Sequence, residues 1–344
     1  MGRSSQYNNI SSDELLDQIN PVNLDLKDRY LNYLLSVDRS PQTIKAYSND
    51  LNIFFIWNLK HNNNIPFVDL VIRHIVEYQG WLIGVNKNSP SRVRRLKATL
   101  SSFSNFIETM YEDVYPNFKP IINKVESPAL QATREKTVLT NDIVNSMLKA
   151  LVSKKKYQHA CALALACSNG ARKSEILRFK VHYFDDKNIL FGSLYKTPER
   201  IKTKGRSSKG KMLYKYTLKN SFEPYLKLWL EEREKKGIDS EWLFVSKERG
   251  KDTYKQMSES VLNSWAKQFT NIAKVPFYWH STRHYFVTLL SKSKIPDSVI
   301  KDIVGWESLD LVSVYNDQST DETLADYFDE GGIKQVDEGK LSDL

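Results

Sequence analysis

The sequence predicts a mainly α-helical protein with one small β-hairpin sheet, divided into an N-terminal helical domain and a larger α+β domain. Three observations carry that reading. Helix-period apolar patterns run as far as residue 115, twice opened by Ser-Pro. A proline-bearing stretch then breaks the period. One later segment, 188–218, has strand character around the Gly/Ser-rich turn "GRSSKG".

Taken in order, residues 1–22 are rich in Asn, Ser and Asp and are expected to form a loose arm. From residue 23 to 115 about four helices are expected. "LDLKDRYLNYLLSV" spaces its leucines at helical intervals. "SPQTIKAYSNDLNIFFIWNL" and "SPSRVRRLKATLSSFSNFIETMYE" each offer a serine N-cap followed by proline at the first helical position, and "VDLVIRHIVEYQGWLIG" supplies another helix. Residues 116–137 carry Pro116, Pro120 and Pro128 without a sustained period and read as a linker. The second domain is expected over 138–330. It opens with two helices, the first capped by Thr140 or Asn141 and the second closed by Gly170, and continues with strands in "NILFGSLY", "ERIKTK" and "KMLYKYTL". Helical patterns return from about residue 221, and an acidic tail occupies 331–344.

Composition narrows the function. The formal net charge is +9 over 344 residues, which favours a polyanionic partner, nucleic acid ahead of an anionic membrane surface. Two cysteines, both in "HACALALAC", exclude a disulfide framework and point to a reducing compartment. No signal peptide, membrane-spanning run or lipidation motif is seen, so a soluble, cytoplasmic protein without a membrane partner is expected.

The chemistry-bearing residues lie mostly in the second half. In "WHSTRHYFVTLL", His280, Arg283 and His284 share one helix face. His-x3-His is a metal-pair spacing, but no glutamate stands at the HExxH position, no third ligand is near, and Arg283 opposes a cation. A phosphate suits the triplet better, and no metal is expected. In "ACSNGARKSEILRF", Arg172 falls at a helix N-terminus, an arrangement suited to anions, with Glu175 one turn on. The hairpin presents Lys202 and Lys204 at one strand end and Lys209 and Lys211 across the turn, either as a solvated basic loop or as lysines delivered to a phosphate. Further back, Arg92, Arg94, Arg95 and Lys97 form a basic run on a helix, either a solvated face or a set of phosphate contacts. Tyr315, which follows "VGW" in "IKDIVGWESLDLVSVYND", reads by itself as a core tyrosine.

Together these boxes resemble the tyrosine recombinases, the family of phage and mobile-element integrases, Xer-type resolvases and Cre-like enzymes. "GARKSE" resembles the family's G-x-R-x-S-E box, the lysine hairpin follows, "HSTRH" resembles H-x-x-R-H, and Tyr315 stands nine residues after Trp306 of "VGW". The order is the family's, and "SPQTIKAYSNDLNIFFIW" resembles the opening of its helical core-binding domain. Trp306 stands where most members have His; Cre-like members also use Trp.

The resemblance implies a helical core-binding domain and a catalytic domain closing on duplex DNA, with strand cleavage and rejoining through a 3′-phosphotyrosyl intermediate. Tyr315 would be the nucleophile. Arg172 and Arg283 would hold the phosphate oxygens, and Lys204, with Lys202 in reserve, would protonate the leaving oxygen. His280 would accept a proton or bond the phosphate, Trp306 would pack the site and fix a phosphate oxygen, and Glu175 would support Arg172. Arg92, Arg94, Arg95, Lys97 and Lys202 are the expected DNA contacts. No cofactor is implied. The implied partners are double-stranded DNA carrying specific recombination sites and a homo-tetramer on two sites. Accessory DNA-bending proteins are further candidates. The tetramer would be joined by a C-terminal helix over 321–330 with Leu324, Tyr327 and Phe328 as apolar anchors. A type IB topoisomerase, a telomere resolvase or an inactive DNA-binding regulator are the rival readings.

Overall fold

The computed structural model describes residues 6–129, 137–205 and 209–316, together with the backbone of 328–329 and 332–333. The chain divides into two compact units, one holding residues 1–135 and 204–211, the other residues 136–203 and 212–344.

The N-terminal part of the first unit is helical: α1 (Gln6–Ile10), α2 (Asp13–Leu16), α3 (Pro21–Ser36), α4 (Pro41–His61), α5 (Ile72–Gly84) and α6 (Pro90–Met110). The two Ser-Pro signals act as expected. The Ser40 hydroxyl accepts from the Thr43 backbone N–H and Ser89 from that of Arg92, with proline at the first helical position each time. The core is aromatic. Phe54, Phe67, Tyr78 and Phe103 are fully buried, and Phe54 meets Tyr78 edge to face with centroids 4.9 Å apart.

Both flanks of this unit differ from expectation. The residues expected as a loose arm form α1 and α2, and Tyr7, Ile10, Leu15 and Leu16 pack on the core beside the buried Ile19. Ser12 caps α2, and Asn52 Nδ2 donates to the Tyr7 hydroxyl at 3.1 Å. The polar composition hides a few well-spaced apolar residues. The first part of the expected linker also belongs here, since Phe118, Ile121, Ile122 and Val125 join the same core.

The second unit contains α7 (Asn141–Ser153), α8 (Tyr157–Asn169) and the short α9 (Lys173–Ile176). A β segment follows: β1 (Ile189–Leu190), β2 (Leu194–Lys196), β3 (Ile201–Thr203), β4 (Lys211–Leu213) and β5 (Tyr216–Leu218). After α10 (Lys219–Lys235) come β6 (Val245–Lys247), β7 (Tyr254–Gln256), α11 (Glu259–Ala273), α12 (Trp279–Lys292), α13 (Asp297–Val304) and α14 (Asp310–Tyr315). Strands β1, β2 and β5 form one antiparallel sheet with Tyr195 opposite Thr217, and β3 pairs with β4. Helix α8 is buried from Ala160 to Asn169, which explains its run of small and apolar residues without a polar face. Burial raises both cysteine thiols above their ordinary range and leaves them inert.

Two expectations for this unit are corrected. The stretch after residue 221 is not wholly helical, because Val245–Lys247 and Tyr254–Gln256 pair as a hairpin, with Ser246 opposite Lys255. Its turn holds Gly250 at φ +75°, a value that favours glycine. The C-terminal helix over 321–330 is not continuous either. Phe328–Asp329 forms β8, paired antiparallel with β9 (Gly332–Ile333) in the stretch expected to be tail. So short an apolar stretch is marginal as a helix. Leu324 and Tyr327 lie outside the described residues.

Candidate active site

The site of the second unit forms where α8, α9, α12, α13 and α14 meet. A small core of Phe286, Val287, Leu290, Ile300, Val304, Trp306 and Val312 joins the last three of these helices. Tyr315, the last residue of α14, packs at its edge, so burial of Val312 fixes where the phenol emerges.

The Tyr315 hydroxyl lies 2.7 Å from Nε2 of His280. The Tyr315 ring stacks on His284, with centroids 4.4 Å apart and planes at 20°, and leans on Trp306 at 4.7 Å. The His280 residue is exposed, yet its ring lies against both Tyr315 and His284. Burial of the imidazole first, then the positive surroundings of His284, Arg283 and Arg172, pushes its pKa down to about 4. A neutral His280 has one ring lone pair, and in the tautomer that carries its proton on Nδ1 the Tyr315 O–H donates to Nε2.

Arg283 is the largest fully buried side chain among the described residues. Nη1 donates to the Gly170 carbonyl at 2.9 Å and Nη2 to the Val304 carbonyl at 3.2 Å. Both carbonyls sit at helix C-terminal ends, where the dipole favours a cation. Each end is closed by a glycine that the site requires. Gly170 has φ +61°, and a Cβ there would come 2.6 Å from Cδ1 of Phe286. Gly305 has φ +78°, and a Cβ would come 2.1 Å from Cδ1 of Leu213. The guanidinium also lies 5.1 Å from the centroid of the Trp306 ring. Its Nε–H has no hydrogen-bond partner among the described residues. Burial, then repulsion from Arg172, lowers its pKa to about 10, so it stays cationic near neutrality.

Arg172 is the N-cap of α9. Asn169 Oδ1 accepts from the Ala171 N–H at 2.8 Å and turns the chain after α8. Glu175 Oε1 then takes Arg172 Nη1 at 2.9 Å, and Oε2 accepts the Arg172 backbone N–H at 3.1 Å. Glu175 is fully buried. Its second partner is one that the sequence motifs do not reveal: Lys215 Nζ stands 2.8 Å from Oε2 and is itself 1% exposed. Burial raises the Glu175 carboxyl, but the pairs with Lys215 and Arg172 outweigh that and hold it at about 2. The signal for Lys215 is alternation, since it directly precedes β5 and is buried like Thr217 two residues on.

Trp306, 5% exposed, uses its ring faces on Tyr315 and Arg283. Arg172, Glu175, His280, Arg283, Trp306 and Tyr315 are thus gathered within one unit. Lys202 lies in β3 with its carbonyl accepting from Arg178 Nη1, and Lys204 follows that strand; both are exposed. Among the described residues no three His, Cys, Asp or Glu side chains cluster as a metal site would need. No described helix is long and apolar enough to cross a membrane.

The basic run on α6 divides. Arg92 and Arg95 pair with the buried Asp50 at 2.8 and 3.3 Å, and Arg94 Nε donates to the Pro128 carbonyl at 2.7 Å. Arg94 and Arg95 are exposed. Lys97 is 4% exposed, and its ammonium is taken up by Gln79 Oε1 at 2.9 Å and the Val125 carbonyl at 2.6 Å. That placement serves the packing of the 116–129 segment.

The sequence and the fold are similar to those of known proteins. The sequence model of the phage integrase family matches residues 137–322. The SPbeta prophage-derived recombinase-like protein YomM of Bacillus subtilis (strain 168) is 31% identical over 231 residues, 66% of each chain. In fold the chain is similar to the XerH site-specific recombinase bound to a palindromic difH substrate in a post-cleavage complex. That likeness has a TM-score of 0.63 and 19% identity, over 83% of this chain and 79% of that one. It is also similar to a lambda integrase tetramer bound to a Holliday junction, with a TM-score of 0.60 and 17% identity over 85% and 76%.

Proposed function

The chain belongs to the phage integrase family, the tyrosine recombinases, and on that premise we propose which of its residues perform the reaction. It is a site-specific DNA recombinase that cuts and rejoins DNA through a covalent intermediate. The observation that carries the assignment is the 2.7 Å contact between the Tyr315 hydroxyl and a neutral His280, beside a buried Arg283 whose Nε–H has no hydrogen-bond partner among the described residues.

In this reading Tyr315 Oη attacks the scissile phosphorus and its proton passes to His280 Nε2. The bond to the 5′ oxygen breaks as the 3′-phosphotyrosyl bond forms. Arg172 and Arg283 hold the non-bridging oxygens, whose charge grows in the transition state, and they are positioned before substrate arrives. Lys204, exposed just beyond β3, donates the proton to the departing 5′ oxygen; Lys202, inside the strand, contacts DNA. Trp306 keeps Tyr315 and Arg283 in register. Rejoining is the reverse attack by a 5′ hydroxyl from the partner strand. One phosphodiester bond is exchanged for another, so no ATP is consumed.

Arg92, Arg94 and Arg95 are the proposed backbone contacts of the helical unit, with Lys97 left out because its ammonium is buried. Four protomers act on two DNA sites, a reading supported by the similar lambda integrase tetramer. The segment after Tyr315 joins neighbours, and the element is a mobile one acting in the cytoplasm on nucleoid DNA, with accessory bending proteins as candidate partners. The test is recombination between two copies of the sequence flanking the gene, carried on one plasmid. The reading predicts deletion or inversion between the copies. Relaxation of supercoils regardless of sequence, without recombinants, would instead indicate a topoisomerase. Deleting residues 320–344 should spare single-site binding and abolish synapsis.

A further inference from the structure

Lys215 has no place in the reaction scheme, yet it lies behind the site, fully enclosed. It stands between β4 and β5. Its backbone is pinned to the strand alongside, with its N–H donating to Thr197 Oγ1 at 3.1 Å and its carbonyl accepting from the Thr197 N–H at 3.0 Å. Its ammonium reaches inward, to Glu175 Oε2 at 2.8 Å, while Glu175 Oε1 holds Arg172 at 2.9 Å. One buried carboxylate is therefore shared between a lysine with no access to substrate and a half-buried arginine that has it.

Stability alone does not explain such a group. A buried ion pair costs desolvation at both ends, and well-packed apolar residues usually serve the fold as well or better. A positional role does explain it. Were Glu175 paired with Arg172 alone, the carboxylate would neutralise the guanidinium meant for the phosphate. With Lys215 on Oε2, the Glu175 charge is divided, its orientation is fixed by both oxygens, and Arg172 keeps positive charge for an incoming anion.

We propose that Lys215 is a positioning residue for recombination, acting through Glu175 to hold Arg172 in place and to preserve its charge for the scissile phosphate. The inference rests on Arg172 being a phosphate clamp, so Arg172→Ala is measured alongside.

The experiment is single-turnover cleavage of a nicked DNA site by Lys215→Met, on an ordinary phosphodiester and on a substrate with a neutral methylphosphonate at the scissile position. Cleavage of the phosphodiester should slow by about 100-fold, as misplacement of a catalytic group commonly costs, with binding to the site unchanged. On the methylphosphonate one charged oxygen is gone and less demand falls on Arg172, so the defect should shrink markedly. Equal slowing on both substrates, or an undiminished phosphodiester rate, would overturn the proposal. Should Lys215→Met fail to fold, Glu175→Gln/Lys215→Met removes both buried charges and is judged by the same two rates. A full rate for Arg172→Ala would refute the clamp itself; loss there with none in the lysine variant refutes only the role of Lys215.

Discussion

His280 Nε2 and the Tyr315 hydroxyl lie 2.7 Å apart, and the histidine is held neutral by its surroundings, with a pKa of about 4. The sign of the consequence is definite. A histidine whose folded pKa is lowered stays an acceptor until the pH falls to that value. From about pH 8 down to 5.5 the cleavage rate should show no step near the ordinary histidine value of 6.5. A single-turnover pH profile with an inflection there, absent in His280→Gln, would show that the imidazole titrates normally.

Arg283 is fixed by two backbone carbonyls, and a lysine has no planar fork to meet both. Arg283→Lys should therefore lose cleavage by about 100-fold or more. Binding to a single site should hold in a gel shift, since the charge is kept. Near-normal cleavage by that variant would mean that the guanidinium geometry is not used.

Gly305→Ala should be destabilising in its own right. The backbone is left-handed at φ +78°, and the new methyl would press on Leu213 at 2.1 Å. A loss of more than about 1 kcal/mol is expected at such a position. Thermal melting reads it directly, and an unshifted midpoint would place Gly305 outside any constraint.

Part of the placement is legible in the residues themselves, while the roles of Tyr315, Lys204 and Trp306 come from the ordered set of boxes that resembles the family. Asn169-Gly170 ends α8 and puts Arg172 at the next helix start, and the i, i+3 spacing of His280 and Arg283 gives them one face of α12. Lys215 is not legible as part of the site. Nothing local distinguishes it from the other hairpin lysines except strand alternation, and the carboxylate it meets is far away in sequence. The β6–β7 hairpin escapes a sequence reading because short strands give little periodicity. The arm and the 116–129 segment look like loop because a few apolar residues dock on a core supplied by other helices.

The basic face of α6 separates into two behaviours. Arg94 and Arg95 are exposed, so replacing both with alanine should flatten the salt dependence of DNA binding by roughly 0.9 in log–log slope for each phosphate no longer neutralised. Lys97→Met should leave that slope alone and lower the melting temperature, because its ammonium holds the Val125 carbonyl inside the fold. A flattened slope for Lys97→Met with unchanged melting would reverse the division.

The central claim is that Tyr315 is the nucleophile, and trapping on a nicked DNA site tests it most directly. Such a substrate releases a short strand after attack and leaves the protein on DNA. Full-length protein and Tyr327→Phe should both accumulate the covalent adduct, and peptide mapping should find the phosphoryl group on Tyr315. The Tyr315→Phe variant should bind the site and form no adduct. An adduct that survives Tyr315→Phe and disappears with Tyr327→Phe would contradict the account.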